Sequence, residues 1–89
     1  MNIEVLFFGQ LRELTSVPQK VVALKDGARL SDLVEHLSSE YGAPFRQQVS
    51  DIPGLRILIN GREYALVGGM QASLDQGDTV VFLPPIAGG

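Results

Sequence analysis

The segment Leu30-Ser31-Asp32-Leu33-Val34-Glu35-His36-Leu37-Ser38-Ser39-Glu40-Tyr41 decides the architecture. Leu30, Leu33, Val34, Leu37 and Tyr41 stand at i, i+3, i+4, i+7 and i+11, which places them on one stripe of an α-helix, with the polar residues around the remaining surface. Gly42, followed by Ala43-Pro44, supplies a C-terminal stop. The start is less well marked, because Ala28 and Arg29 are poor capping residues. Beyond the stop, Phe45 and Val49 fit a short extra turn with Pro44 at its first position.

Toward the N-terminus the periodicity changes from that of a helix to that of strands. Ile3, Val5 and Phe7 alternate with Asn2, Glu4 and Leu6 up to Gly9, a strand pattern whose second face turns apolar at Leu6 and Phe8. Gln10 to Leu14 reads as one helical turn, and Lys20 to Lys25 as a strand closed by Asp26-Gly27. Toward the C-terminus, Ser50 to Gly54 is a loop and Leu55 to Ile59 a strand with apolar residues on both faces. Asn60-Gly61 is the strongest hairpin signal in the chain and leads into Arg62 to Leu66, which Gly68-Gly69 interrupts. After a turn at Leu74 to Asp78, Thr79 to Leu83 forms a last strand stopped by Pro84-Pro85.

One amphipathic helix among five short strands predicts an α+β domain, in which the helix covers one face of a mixed sheet. The first and last strands are the most apolar, so they belong side by side in the centre, running parallel. That arrangement is a β-grasp of four to five strands on one main helix, with the domain at residues 1–83 and a flexible tail at 84–89. With 89 residues, a single core is affordable, without room for an enclosed active site.

Composition removes several classes of function. The absence of Cys excludes disulfides, thiolate metal sites and a persulfide carried on the chain itself. Seven Lys+Arg against ten Asp+Glu give a net charge of −3, and the basic residues are scattered, so nucleic acid is not an expected partner. The N-terminal residues lack the features of a signal peptide and no apolar run approaches membrane-spanning length, so a cytoplasmic protein is expected.

Catalytic side chains are scarce. His36 is the only histidine, beside the apolar stripe among polar neighbours, and reads as a solvated surface residue. Asp75 and Asp78 flank a turn and read as turn formers, and Gly68-Gly69 as a bulge or loop without a phosphate motif around it.

The unusual segment is Leu83-Pro84-Pro85-Ile86-Ala87-Gly88-Gly89, which bears no charged side chain. Pro84-Pro85 favours an extended path away from the sheet, and six residues reach at most about 20 Å. Gly88-Gly89 is narrow enough to thread a channel that would stop a substituted residue. A C-terminal carboxyl with a pKa of about 3.5 is ionised at neutral pH and able to attack the α-phosphate of ATP, forming an acyl adenylate. Such an end can accept sulfur or an amine, and the chain that carries it needs no catalytic side chain.

Val5-Leu6-Phe7-Phe8-Gly9-Gln10-Leu11-Arg12-Glu13-Leu14, taken with Gly77-Asp78-Thr79-Val80-Val81-Phe82-Leu83-Pro84-Pro85-Ile86-Ala87-Gly88-Gly89, resembles the MoaD/ThiS-type sulfur carriers, most closely the small subunit of molybdopterin synthase. The resemblance implies a ubiquitin-like fold and a non-catalytic carrier subunit of a sulfurtransferase. Gly89 would be adenylated and then thiocarboxylated, with Gly88 as the clearance residue. No cofactor is expected on the chain, since ATP and Mg²⁺ would be used by an adenylyltransferase related to ubiquitin-activating enzymes. A sulfurtransferase would supply sulfur. The large synthase subunit, in a heterotetramer, would receive it for cyclic pyranopterin monophosphate in molybdenum cofactor biosynthesis.

Leu6, Phe8, Val81 and Leu83 are expected on the sheet face opposite the helix as a partner-binding patch, joined by Arg12, Pro84, Pro85 and Ile86. Tyr64 to Met70 is similar to carriers that feed cysteine synthesis, which leaves the recipient open. Carriage of sulfur for cysteine, thiamine or tRNA thiolation, or conjugation to lysines as a ubiquitin-like modifier, are the alternatives.

Overall fold

The computed structural model describes residues 1–85. In chain order its elements are β1 (Asn2–Phe7), α1 (Gly9–Thr15), β2 (Gln19–Ala23), α2 (Leu30–Tyr41), α3 (Ala43–Asp51), β3 (Arg56–Ile59), β4 (Arg62–Glu63) and β5 (Thr79–Leu83). Single 3₁₀ turns at Tyr64–Leu66 and Gly69–Gln71 lie between β4 and β5.

The sheet order is β2-β1-β5-β3-β4. The first and last strands are central and parallel, with Val5 opposite Val80 and Phe7 opposite Phe82, and the other pairings are antiparallel. Helix α2 presents Leu30, Leu33, Val34 and Leu37 to Ile3, Val5, Phe7, Ile57, Val80 and Phe82, all buried in one core. The period-3.6 and period-2 patterns thus meet face to face, and burying such side chains is the main stabilising term.

An aromatic cluster closes the core where β1 and β5 end. Phe7 and Phe82 stack at 5.9 Å between ring centroids, and Phe45 from α3 meets both edge-on at 6.1 and 5.7 Å. Such pairs contribute about 0.5–1.5 kcal/mol each beyond burial.

The hairpin at Asn60-Gly61 has φ of 51° and 83°, the two positive values of a type I′ turn, with Ile59 opposite Arg62. Asn60 also ties this turn to β5. Its N–H donates to the Thr79 carbonyl at 2.8 Å and its Oδ1 accepts the Thr79 N–H at 2.9 Å.

The structure corrects several boundaries. The turn expected after Pro44 is a nine-residue helix through Asp51, so the loop expected at Ser50 to Gly54 is shorter. Its pattern was hard to read because only Phe45 is fully buried along it. Arg62 to Leu66 keeps strand geometry only at Arg62–Glu63, after which Tyr64–Leu66 winds into a 3₁₀ turn. The second strand runs from Gln19 to Ala23 rather than to Lys25, because Leu24 lies past the Asn2–Ala23 pair at the end of the ladder. The single turn at Gln10 to Leu14 is a seven-residue helix that buries Leu11.

The start of α2 is capped from within and from outside. The Arg29 backbone N–H donates to Asp32 Oδ2 at 2.8 Å, and the Leu30 N–H to the Ala72 carbonyl at 2.9 Å. Gly68 precedes the second 3₁₀ turn and Gly69 opens it, ahead of buried Ala72 and Leu74.

Candidate functional site

The candidate site is the sheet face opposite α2 together with the end of β5. Leu6 stands opposite Val81 on β5, which in turn stands opposite Leu58 on β3, and all three are half-buried. The Phe8 N–H donates to the Phe82 carbonyl at 3.2 Å, carrying the parallel pairing one residue past β1 and setting Phe8 level with Leu83. Phe8 is 42% exposed, an unusual degree for a phenylalanine.

This apolar strip is directional. At the other end of β1 the same face carries Asn2 and Glu4, the latter paired with Thr79. Along β1 and β5 the apolar residues of this face therefore lie toward the end from which residues 84 and 85 leave the sheet, where Arg56 of β3 stands opposite Leu83, while Val21 of β2 is exposed opposite Glu4.

Leu6, Phe8, Val81 and Leu83 thus share one face, and the structure adds Leu58 to them. Its signal lay in the doubly apolar strand 55–59. Arg12 is exposed in the middle of α1, the helix that begins directly after Phe8.

The root of the tail is divided between its two prolines. Pro84 is buried, and a Cβ built on Gly9 would lie 3.4 Å from its Cγ. Gly9 has φ of +58°, so glycine serves here both for backbone conformation and for close approach. Pro84, placed with the tail on sequence grounds, is instead packed on the domain. Pro85 is exposed, with Gly54 beside it. Ile86, Gly88 and Gly89 lie outside the described residues.

The remaining candidates do not gather into a catalytic centre. His36 is exposed on the polar side of α2. Asp78 is tied into the turn, accepting the Asp75 N–H at 2.8 Å and the Asn60 side-chain amide at 2.9 Å. Among the described residues, no group of three His, Cys, Asp or Glu side chains is placed to hold a metal ion. No helix among them is long and apolar enough to cross a membrane.

The electrostatics of the domain are led by one pair on the helix side. Lys20 Nζ of β2 lies 2.6 Å from Glu40 Oε2 of α2 and 5.9 Å from the centroid of the Tyr41 ring. Its hydrogen bond to Glu40 raises the Lys20 pKa, and the same bond lowers that of Glu40. Burial raises that of Tyr41.

A five-stranded mixed sheet on one main helix, with an apolar patch where β5 leads toward a Gly-Gly segment, defines the class of ubiquitin-like β-grasp proteins. Within that class the chain belongs to the ThiS family, whose model matches residues 5–89, and it is a MoaD/ThiS-type sulfur-carrier protein.

Small archaeal modifier protein 3 of Haloferax volcanii is 34% identical over 92 residues, covering all of both chains. The molybdopterin synthase sulfur carrier subunit of Drosophila yakuba is 32% identical over 90 residues, covering all of this chain and 92% of that one. Among solved structures, a chain of the Amycolatopsis orientalis BexX/CysO complex superposes with a TM-score of 0.75 at 26% identity, covering 98% of this chain and 99% of that one.

Proposed function

We propose that this protein carries sulfur as a thiocarboxylate on Gly89 and delivers it to cyclic pyranopterin monophosphate in molybdopterin synthesis. The observation that carries the reading is that the outward apolar residues of β1 and β5 lie toward the end of β5, where a partner seated on the patch also meets the departing tail. The relatives named as molybdopterin synthase subunits support the choice of recipient.

In the proposed cycle the Gly89 carboxylate attacks the α-phosphate of ATP on an adenylyltransferase, with Mg²⁺ held there, and pyrophosphate leaves. A sulfurtransferase persulfide displaces AMP, and a second thiol, supplied by the sulfurtransferase or by a small-molecule reductant, attacks the inner sulfur of the sulfurtransferase in the resulting acyl disulfide, leaving the thiocarboxylate on Gly89 and a disulfide on the sulfurtransferase. The charged carrier then docks on the large synthase subunit through Leu6, Phe8, Leu58, Val81 and Leu83, with Pro85, Ile86 and Gly88 entering its cleft. The chain supplies an acyl group, a narrow lead and a docking face, and its partners supply the reactivity. The need for ATP and a reduced sulfur source places this cycle in the cytoplasm.

A second reading is favoured by the 34% identical relative named as a modifier, in which Gly89 is transferred to lysine amines of target proteins. Mass spectrometry after incubation with ATP, an adenylating partner and a sulfur source separates the two. The carrier reading expects one oxygen replaced by sulfur at the C-terminus. Gly-Gly remnants on target lysines, without that replacement, would establish the modifier instead.

A further inference from the structure

The outer edge of β2 has a hydrogen-bonding pattern of its own. Met1 and Leu24 exchange hydrogen bonds of 2.7 and 2.8 Å, and the Phe7 N–H donates to the Pro18 carbonyl at 2.9 Å. Bonded pairs alternate along an antiparallel ladder, so Lys20 and Val22 bond to β1, while Gln19, Val21 and Ala23 turn their N–H and C=O groups to the other side. None of these outward groups has a partner among the described residues. The free run is bounded at both ends. The Val17 carbonyl accepts from Thr15 Oγ1 at 3.0 Å, and the Lys25 carbonyl accepts the Ala28 N–H at 3.1 Å.

Charged side chains and prolines usually keep such an edge from pairing. Here Pro18 lies before the free run, and the one charged side chain within it, Lys20, is held on the helix side with Nζ 2.6 Å from Glu40. Gln19, Val21 and Ala23 are uncharged and exposed, and Val21, at 64%, is barer than Phe8. Nor does α2 close the flank. A groove of about 710 Å³ separates Ala23 and Leu24 from the side of α2 that carries Asp32, Glu35 and His36.

We propose that two copies of this chain associate through β2, antiparallel and about a two-fold axis at Val21. In that register Val21 faces Val21 of the second copy and Gln19 faces its Ala23, so every free N–H and C=O of the run is satisfied and none is left over. A register shifted along the strand leaves some of them unpaired. A second copy brings this match by symmetry, because the free groups are disposed equally about Val21. Only uncharged side chains meet on the outward side of the seam, and on the helix side Lys20, which keeps its own Glu40, meets Val22. The axis stands perpendicular to the sheet, so the patch at Leu6, Phe8, Leu58, Val81 and Leu83 stays uncovered in both copies, on one common side. The pairing does not rest on the carrier reading.

The test is sedimentation equilibrium and NMR on the full chain from about 50 µM to about 2 mM, since a five-residue seam is small against the roughly 1,200–2,000 Å² of a stable interface. The average mass should rise toward that of a dimer over this range. In a mixture of isotopically labelled and unlabelled chains, the Hα of Lys20 should contact the Hα of Val22 of the second copy, the close pair of this register. Val21→Lys sets like charges opposite each other across the seam, yet faces Glu4 within its own sheet, so the fold should stand while association weakens by about tenfold or more. Val21→Thr should keep association within about threefold of the parent. A monomer throughout this range, association undiminished in Val21→Lys, or intermolecular contacts through Phe8 and Leu83 would overturn the proposal. So would protection of the Val21 amide that arises only when the adenylating partner is added, which would give the edge to that protein instead.

Discussion

Gly9 is where conformation and function meet at a single residue. Its left-handed backbone turns β1 into α1, and its bare Cα lets Pro84 settle on the domain. Gly9→Ala should therefore lower stability by about 1–2 kcal/mol through strain in the left-handed region, measured by urea denaturation. Unchanged stability would mean that the turn has another conformation open to it. At the far end, Gly88 is expected to act by clearance alone. Gly88→Ala should fold with an unchanged melting temperature and transfer sulfur about a hundredfold more slowly, because a misplaced acyl group loses its near-attack geometry. Full-rate transfer would remove the threading argument. The two glycines differ in how far sequence reveals them. The Gly-Gly motif is visible in the chain itself, whereas the role of Gly9 depends on a proline 75 positions away.

Among the elements, α3 shows what periodicity misses. Ala43–Asp51 is mostly polar and buries only Phe45 fully, so no apolar stripe announces nine residues of helix. Its contribution is concentrated in that one ring, set edge-on against Phe7 and Phe82. Phe45→Ala should cost about 3–5 kcal/mol, enough to leave a domain of this size close to unfolding at room temperature. A loss below about 1 kcal/mol in chemical denaturation would show that the neighbouring rings close the gap. By contrast, α2 and the two central strands were legible apart from the cap of α2, because their residues pack on one another at the expected periods. The second strand and α2 are also joined by Lys20 and Glu40. Glu40 has a lowered pKa in the folded protein, so its contribution is present above the ordinary carboxylate range and fades as the pH falls through the lowered value. Lys20 has a raised pKa, so its part is present below the ordinary lysine range and is lost as the pH rises through the raised value. Glu40→Gln should flatten the acid limb of a plot of melting temperature against pH. An acid limb of the same slope would assign it to other carboxylates.

Over the whole molecule, the two faces of the sheet have separate tasks. The face toward α2 is closed, and along β1 and β5 the face away from it turns apolar toward the end where the chain departs, with Val21 of β2 exposed opposite Glu4. Leu58→Glu places a charge at the β3 end of the Leu6–Val81–Leu58 row without touching the core, and should leave the circular dichroism spectrum unchanged. Binding to the adenylating partner, followed by calorimetry, should weaken at least tenfold, the scale at which a charge in an apolar contact is felt. Undiminished affinity would move the docking surface elsewhere. The sequence carried the outward patch at Leu6, Phe8, Val81 and Leu83 through simple alternation. It did not reveal that α1 and α3 pack on each other, since neither carries an apolar stripe that names its partner. Nor does any side chain name the recipient of the sulfur, since the patch and the Gly-Gly end serve any partner that accepts both.

The most direct measurement is the intact mass of the natural gene product after incubation with ATP, Mg²⁺, its adenylating partner and a persulfide donor. The account predicts that fragmentation locates a single sulfur-for-oxygen exchange on Gly89, and that omitting ATP prevents it. A terminus whose mass is unchanged in the complete mixture, or a mature protein in which Gly89 is followed by further residues, would contradict it.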